Sequence, residues 1–189
     1  EELTAMHFNI PNTLTWFRIG LIPLVMLAYN LPYDWAHPLA GWLFGIAAIT
    51  DTLDGYLARK LEQTSAFGAF LDPVADKVIV CVALLLIVQT DPGLLILIIS
   101  CVIVGREITI SALREWMAEI GARHRVAVQN VAKYKTIGQM VALAFMLHEE
   151  PFIGLPVYVI GLALLVIASV LTLWSMWEYL SAAWPDLSR

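Results

Sequence analysis

Residues 51–76 read DTLDGYLARKLEQTSAFGAFLDPVAD; they close one apolar run, which starts near His37, and open another, which continues to about Val88. Asp51 and Asp54 stand three apart, and Asp72 and Asp76 four apart. On a helix these separations put both members of a pair on one face. Each pair can therefore aim its oxygens at one point, and two such helices side by side make a nest of four carboxylates. Ionised carboxylates are expensive in apolar surroundings, so a positive partner must sit among them. Hard divalent cations such as Mg2+ or Mn2+ prefer oxygen ligands, and two of them balance four negative charges. Two-metal sites serve phosphoryl chemistry by polarising the phosphate and stabilising the attacking and leaving oxygens. Gly55 and Gly68 stand beside the acids, where a missing side chain lets a ligand approach backbone. A single intramembrane aspartate is as readily a helix cap or half of a structural ion pair. Four at these offsets are poorly explained that way.

The surrounding chain has 189 residues, 60% hydrophobic and only 14% charged, with a mean hydropathy of +0.77. That is a membrane composition, not a soluble one. A span takes roughly 20 mostly apolar residues, so the length holds about six helices and short loops. The expected fold is an all-α integral membrane protein: six transmembrane helices around a polar cavity open to the cytoplasm. A cleavable signal peptide is not expected, because Glu1 and Glu2 replace a basic start and no small-residue cleavage site is evident; residues 1–5 are expected to be an appended remnant, with Met6 the natural start. Residues 6–189 then form a single membrane domain. The formal charge of −5 says little, since the placement of Lys and Arg governs a membrane protein. No nucleic-acid partner is expected. Cys81 and Cys101 lie in apolar runs without metal-ligand spacing and are expected to be buried free thiols.

The apolar runs cover about 12–30, 37–60, 65–88, 92–117, a stretch ending near Leu147, and 152–173. In the first, Asn12, Thr15 and Arg18 recur at three-residue steps; a capping Asn and a snorkelling Arg explain this as well as a stripe facing a site. Pro73 predicts a kink beside the carboxylates. The fifth run is apolar only over 136–147, too short to span, so its helix must begin early enough to include Lys133 and Lys135. The sixth holds no acid or base and reads as structural or lipid-facing. Connections near 31–36, 89–92 and 148–151 contain no Lys or Arg, and all eleven basic residues fall at or near the opposite ends. The positive-inside rule makes those basic ends, and both termini, cytoplasmic. Trp16, Trp35, Trp116, Tyr134, Trp177 and Tyr179 read as interfacial aromatics without chemistry. His7, His37, His124 and His148 read as surface histidines, and Glu107, Glu115 and Glu119 as helix-surface ion-pair partners. Helices two and three thus bring carboxylates, and helices one, four and five bring Arg18, Arg106, Arg114, Lys133 and Lys135. The polar interior has a metal side and a basic side.

The pattern Asp51-x2-Asp54-Gly55-x2-Ala58-Arg59-x8-Gly68-x3-Asp72-x3-Asp76 resembles the signature of the CDP-alcohol phosphotransferases at all eight specified residues. Asn9-Ile10-Pro11-Asn12, Arg106-Glu107, Ser111 to Trp116 and Lys133 to Gln139 resemble the branch of that family that makes phosphatidylglycerophosphate, and the resemblance runs along essentially the whole chain from Met6. It implies CDP-diacylglycerol as donor, glycerol 3-phosphate as acceptor, two divalent cations, Mg2+ or Mn2+, a homodimer, and a multi-pass place in a bacterial inner membrane. By the same resemblance Asp51, Asp54, Asp72 and Asp76 hold the metals, and Asp76 is also the general base. Asn12, Gly55, Ala58, Arg59 and Gly68 are assigned to CDP-diacylglycerol. Arg106, Arg114, Lys135, Arg18 and Lys133 are assigned to the acceptor phosphate; Arg114 or Lys133 can equally be a membrane anchor.

The nearest alternative keeps the metals and changes the acceptor to serine or inositol phosphate. A more distant one is a cation transporter, since intramembrane aspartates also mark ion pathways; a second copy of the motif, as in paired-repeat transporters, is not found.

Overall fold

A computed structural model of the protein describes residues 10–61, 66–121 and 131–187. Among them are six helices: α1 (Ile10–Tyr29), α2 (Ala36–Leu61), α3 (Ala66–Thr90), α4 (Leu94–Glu119), α5 (Val131–His148) and α6 (Val157–Leu187). Local chemistry sets several ends. Pro32 and Pro92 disfavour helix at the residues before them, and α1 and α3 stop just short of these prolines. The Asn30 amide closes α1 by donating to Met26 O at 2.8 Å. Gly121, at φ +75, supplies the left-handed residue that follows α4, and its N–H donates to Ala118 O at 3.1 Å. Pro73 lies inside α3, which is helical on both sides of it. Helix α6 starts five residues later than the apolar run at 152, because Phe152 and Leu155 pair across a tight turn with φ 50 at Ile153 and 74 at Gly154. It also continues to Leu187, well beyond the apolar stretch.

The helices pack as a ring in the neighbour order α1, α2, α5, α6, α4, α3 and back to α1, with α3 also touching α5 across it. Val25, Phe44, Leu84, Ile103, Leu143 and Leu165, one from each helix, are buried in a single core. Backbones approach closely where glycine permits. A Cβ on Gly161 of α6 would lie 2.8 Å from Ala142 O of α5, and one on Gly41 of α2 would lie 2.7 Å from His148 Cβ. A smaller cluster joins Ile110, Leu113 and Met117 of α4 to Tyr179 and Ala183 of α6. Outward faces are apolar, with Leu27, Leu85, Leu94, Ile167 and Trp174 all more than half exposed, far more than a soluble monomer presents. Among the described residues, Leu94–Glu119 and Val157–Trp184 are long and apolar enough to cross a membrane. Cys101 lies on such an outward face, which corrects its expected burial; an apolar run in a membrane protein does not require an inward-facing side chain. Both cysteines are free.

The connections after α1, α3 and α5 meet at one end of the ring. There Gln89 Nε2 donates to Asn30 Oδ1 at 2.8 Å, Tyr29 and Thr90 share a 2.7 Å hydrogen bond, and Tyr158 donates to Asp91 Oδ2 at 2.6 Å. His37 pairs with Glu149 and stacks on Tyr29. These contacts tie the ring together at the end away from the acidic motif, and His37 and His148 are spent on them.

Candidate functional site

Helix α1 sits between α2 and α3 and is the element that gathers their carboxylates. Arg18 is wholly buried, and its Nη1 lies 2.8 Å from Asp51 Oδ1 of α2 and also contacts Asp76 Oδ1 of α3. One turn earlier, buried Thr15 donates to Asp72 Oδ1 at 2.5 Å. The three-residue step from Thr15 to Arg18 matches the four-residue step from Asp72 to Asp76, so neighbouring helices meet rung for rung. Asp51 and Asp76 keep about a third of their side-chain surface exposed, 31% and 38%. They are charge-paired without being sealed off.

Two oxygens from different helices therefore converge on one cationic nitrogen, and this is the arrangement a divalent ion needs from hard oxygen donors. Among the described residues no three acids, imidazoles or thiols are close enough to hold an ion by themselves. Asp54, the remaining acid of the motif, lies on α2 one turn beyond Asp51, with its side chain outside the described residues. Gly55, Ala58 and Arg59 follow it on α2, and their placement beyond the helix itself lies outside the described residues, as do the side chains of Asn12 on α1 and Lys133 on α5. Gly68 is buried on α3, one turn before Asp72. Arg18, grouped with the acceptor phosphate in the sequence reading, is placed on the carboxylate side.

A second group of charge is built from α4 and α5. Arg106 is 7% exposed and Lys135 5% exposed, and among the described residues Arg106, Glu107 and Arg114 are charged neighbours of Lys135. Arg106 Nη1 donates to Glu107 Oε1 at 2.6 Å. Among the described residues, Lys135 Nζ, Arg106 Nε and Arg114 Nε are buried without a hydrogen-bond partner. Buried donors of this kind are rare without a purpose, because each forfeits its hydration. Among the described residues three cations stand against one carboxylate, and an anion such as a phosphate monoester would supply both the missing charge and the acceptor oxygens.

Two side chains here were read differently from sequence. Glu107, half-buried, pairs with its sequence neighbour Arg106 instead of bridging one helix turn on the surface. Tyr179, read as an interfacial aromatic, is 7% exposed and accepts a 3.2 Å hydrogen bond from Arg114 Nη2. The other described tryptophans of that set, Trp16, Trp35 and Trp177, are exposed, and Trp116 is half-buried.

The chain matches the family model described as CDP-alcohol phosphatidyltransferase over residues 8–174. A relative from Pectobacterium atrosepticum is 53% identical over 96% of this chain and 98% of its own length, and one from Pseudomonas fluorescens is 52% identical over 95% and 92%. A third, from Salmonella choleraesuis, is 50% identical over 96% and 98%. All three are named CDP-diacylglycerol–glycerol-3-phosphate 3-phosphatidyltransferase. Identity at this level over nearly full length, together with the family match across most of the helical ring, leaves one assignment: the chain belongs to the CDP-alcohol phosphatidyltransferase family.

Proposed function

We propose that this protein transfers the phosphatidyl group of CDP-diacylglycerol to glycerol 3-phosphate, giving phosphatidylglycerophosphate and CMP. The observation that carries this reading is the pairing of two opposite charge groups in one helix ring, carboxylates on α2 and α3 and, on α4 and α5, cations that keep buried donor atoms unpartnered among the described residues. A diphosphate donor and a phosphorylated acceptor make those two demands. Serine, which has no phosphate, would leave the cationic pocket unfilled. The relatives' names favour glycerol 3-phosphate over inositol phosphate.

Asp51, Asp54, Asp72 and Asp76 are the residues that would hold two divalent cations, Mg2+ or Mn2+. Bound there, such ions supply charge neutralisation for the diphosphate and for the departing CMP oxygen. Thr15 and Arg18 keep the carboxylates of three helix positions in register. Asp76 takes the proton from the acceptor hydroxyl, whose oxygen forms a bond to the lipid-side phosphorus as the bond to CMP breaks in line. Gly55, Ala58 and Gly68 leave room for the cytidine diphosphate, Asn12 binds the same donor, and Arg59 contacts its phosphates. Arg106, Arg114 and Lys135, with Lys133 at the start of α5, hold the acceptor phosphate.

All six helices cross the membrane in this reading, with the acidic and basic groups opening to the cytoplasm of a bacterial inner membrane and both termini on that side. A homodimer in native lipid belongs to the same reading, and a monomer there would refute that part. The decisive experiment follows CMP release from CDP-diacylglycerol by purified protein in detergent, with Mg2+ or Mn2+ and with glycerol 3-phosphate, serine or inositol phosphate in turn. Release that needs both a metal and glycerol 3-phosphate is expected. Release with another acceptor would correct the substrate, and none with any acceptor would sink the reading.

A further inference from the structure

Among the described residues α6 contributes nothing to the carboxylate group, yet its stretch from Met176 to Ala183 packs against α4 beside the cationic pocket. Tyr179 is the polar member of that contact. Its ring packs with Ile110, Leu113 and Met117 in the smaller core cluster, its hydroxyl accepts from Arg114 Nη2 at 3.2 Å, and the Arg114 guanidinium carbon stands 5.3 Å from the ring centroid. The Tyr179 side chain thus meets the guanidinium twice, through a hydrogen bond and through the ring face. An arginine side chain has several freely rotating bonds, and orienting its planar fork before a phosphate arrives removes an entropic cost from binding. Arg114 Nε remains buried and unpartnered while Nη2 is engaged. The fork is therefore held in place with donor capacity left over.

We infer that Tyr179 is a positioning residue of the acceptor site: it orients Arg114 toward the phosphate monoester of the acceptor and so sets acceptor affinity without touching the reacting atoms. This rests on the reading of the Arg106, Arg114 and Lys135 group as the acceptor-phosphate pocket. The inference also gives the polar end of α6 a function, since the cluster of Ile110, Leu113, Met117, Tyr179 and Ala183 is what fixes the ring beside Arg114.

The test compares Tyr179→Phe, Tyr179→Leu, Arg114→Gln and, as a control on the outward face of α6, Trp177→Leu. Steady-state CMP release is measured against glycerol 3-phosphate and, separately, against CDP-diacylglycerol. Losing both ring and hydroxyl in Tyr179→Leu should raise KM for glycerol 3-phosphate about tenfold, with kcat and the KM for CDP-diacylglycerol within about twofold of the parent. Tyr179→Phe, which keeps the ring face, should recover most of that loss, and Trp177→Leu should shift neither constant. A scaffold role for Tyr179 would instead lower active-enzyme yield, or affect both substrates alike, and that result overturns the inference. A raised KM in Arg114→Gln with an unchanged one in both Tyr179 variants also overturns it, while leaving the acceptor pocket standing. If Arg114→Gln and Arg106→Ala both leave the glycerol 3-phosphate KM unchanged, the pocket reading itself fails and takes the Tyr179 role with it.

Discussion

Arg18 is wholly buried between two acids that are each about one-third exposed, and the asymmetry sets what its loss should do. Arg18→Met removes the cation and leaves Asp51 and Asp76 facing each other across α2 and α3. The expected loss is about 1–3 kcal/mol, below that for a wholly buried pair because water still reaches the carboxylates. Thermal unfolding in detergent should show the drop in EDTA, and Mg2+ or Mn2+ should narrow the gap to the parent by replacing the missing charge. A gap that ignores divalent ions would count against these acids as ion ligands. Thr15→Val deletes one hydrogen bond to Asp72 with little change in shape. A bond worth about 1 kcal/mol predicts roughly a fivefold fall in kcat/KM, and unchanged turnover would show that Asp72 needs no such anchor. Arg106→Ala removes a donor from a pocket already short of negative charge. KM for glycerol 3-phosphate should rise about tenfold or more, with kcat largely retained.

At the scale of elements, α1 and α3 were legible because their apolar runs end at Pro and Asn stops, whereas the apolar run of α6 gave neither its start nor its end. The acidic pairs were legible for a similar reason: helical spacing alone puts Asp51 with Asp54 and Asp72 with Asp76 on common faces. What faces them was not. Arg18 lies 58 residues from Asp76 in sequence, and its three-residue step with Thr15 fits a snorkelling stripe equally well until α1 is seen between α2 and α3. Tyr179 was illegible for a related reason. An aromatic near a helix end looks the same whether it meets lipid headgroups or a half-buried arginine 65 residues away, and only the crossing of α4 with α6 separates the two. Small residues carry a similar hidden message. Gly161 and Gly45 are indistinguishable in an apolar run, yet a Cβ at Gly161 meets Ala142 O at 2.8 Å, whereas one at Gly45 meets nothing within 4 Å. Gly161→Val should therefore push α5 from α6 and destabilise by about 1–3 kcal/mol. Gly45→Ala should be neutral or stabilising by up to about 1 kcal/mol. Parallel melting curves test the pair, and equal behaviour would mean that the α5–α6 approach does not limit stability.

Across the whole molecule, polarity is divided end to end. The end formed by the connections after α1, α3 and α5 is cross-linked by Asn30 with Gln89, Tyr29 with Thr90, Tyr158 with Asp91 and His37 with Glu149, and no Lys or Arg lies in those connections. Arg18, Arg106, Arg114 and Lys135 stand toward the other end with the aspartates. A ring tied at one end keeps its helices from splaying; in the proposed function the other end takes two charged substrates and, by the positive-inside rule, faces the cytoplasm. Asp34 and Ser181 are both exposed and mark opposite ends of the ring. In a background with Cys81 and Cys101 replaced by Ser, Asp34→Cys should react with a membrane-impermeant maleimide in intact spheroplasts, and Ser181→Cys only after permeabilisation. Labelling of both before permeabilisation would break the six-span topology. The reverse pattern would place the carboxylates and the acceptor pocket on the face away from the cytoplasm, where CMP release would have no access to the cytoplasmic nucleotide pool.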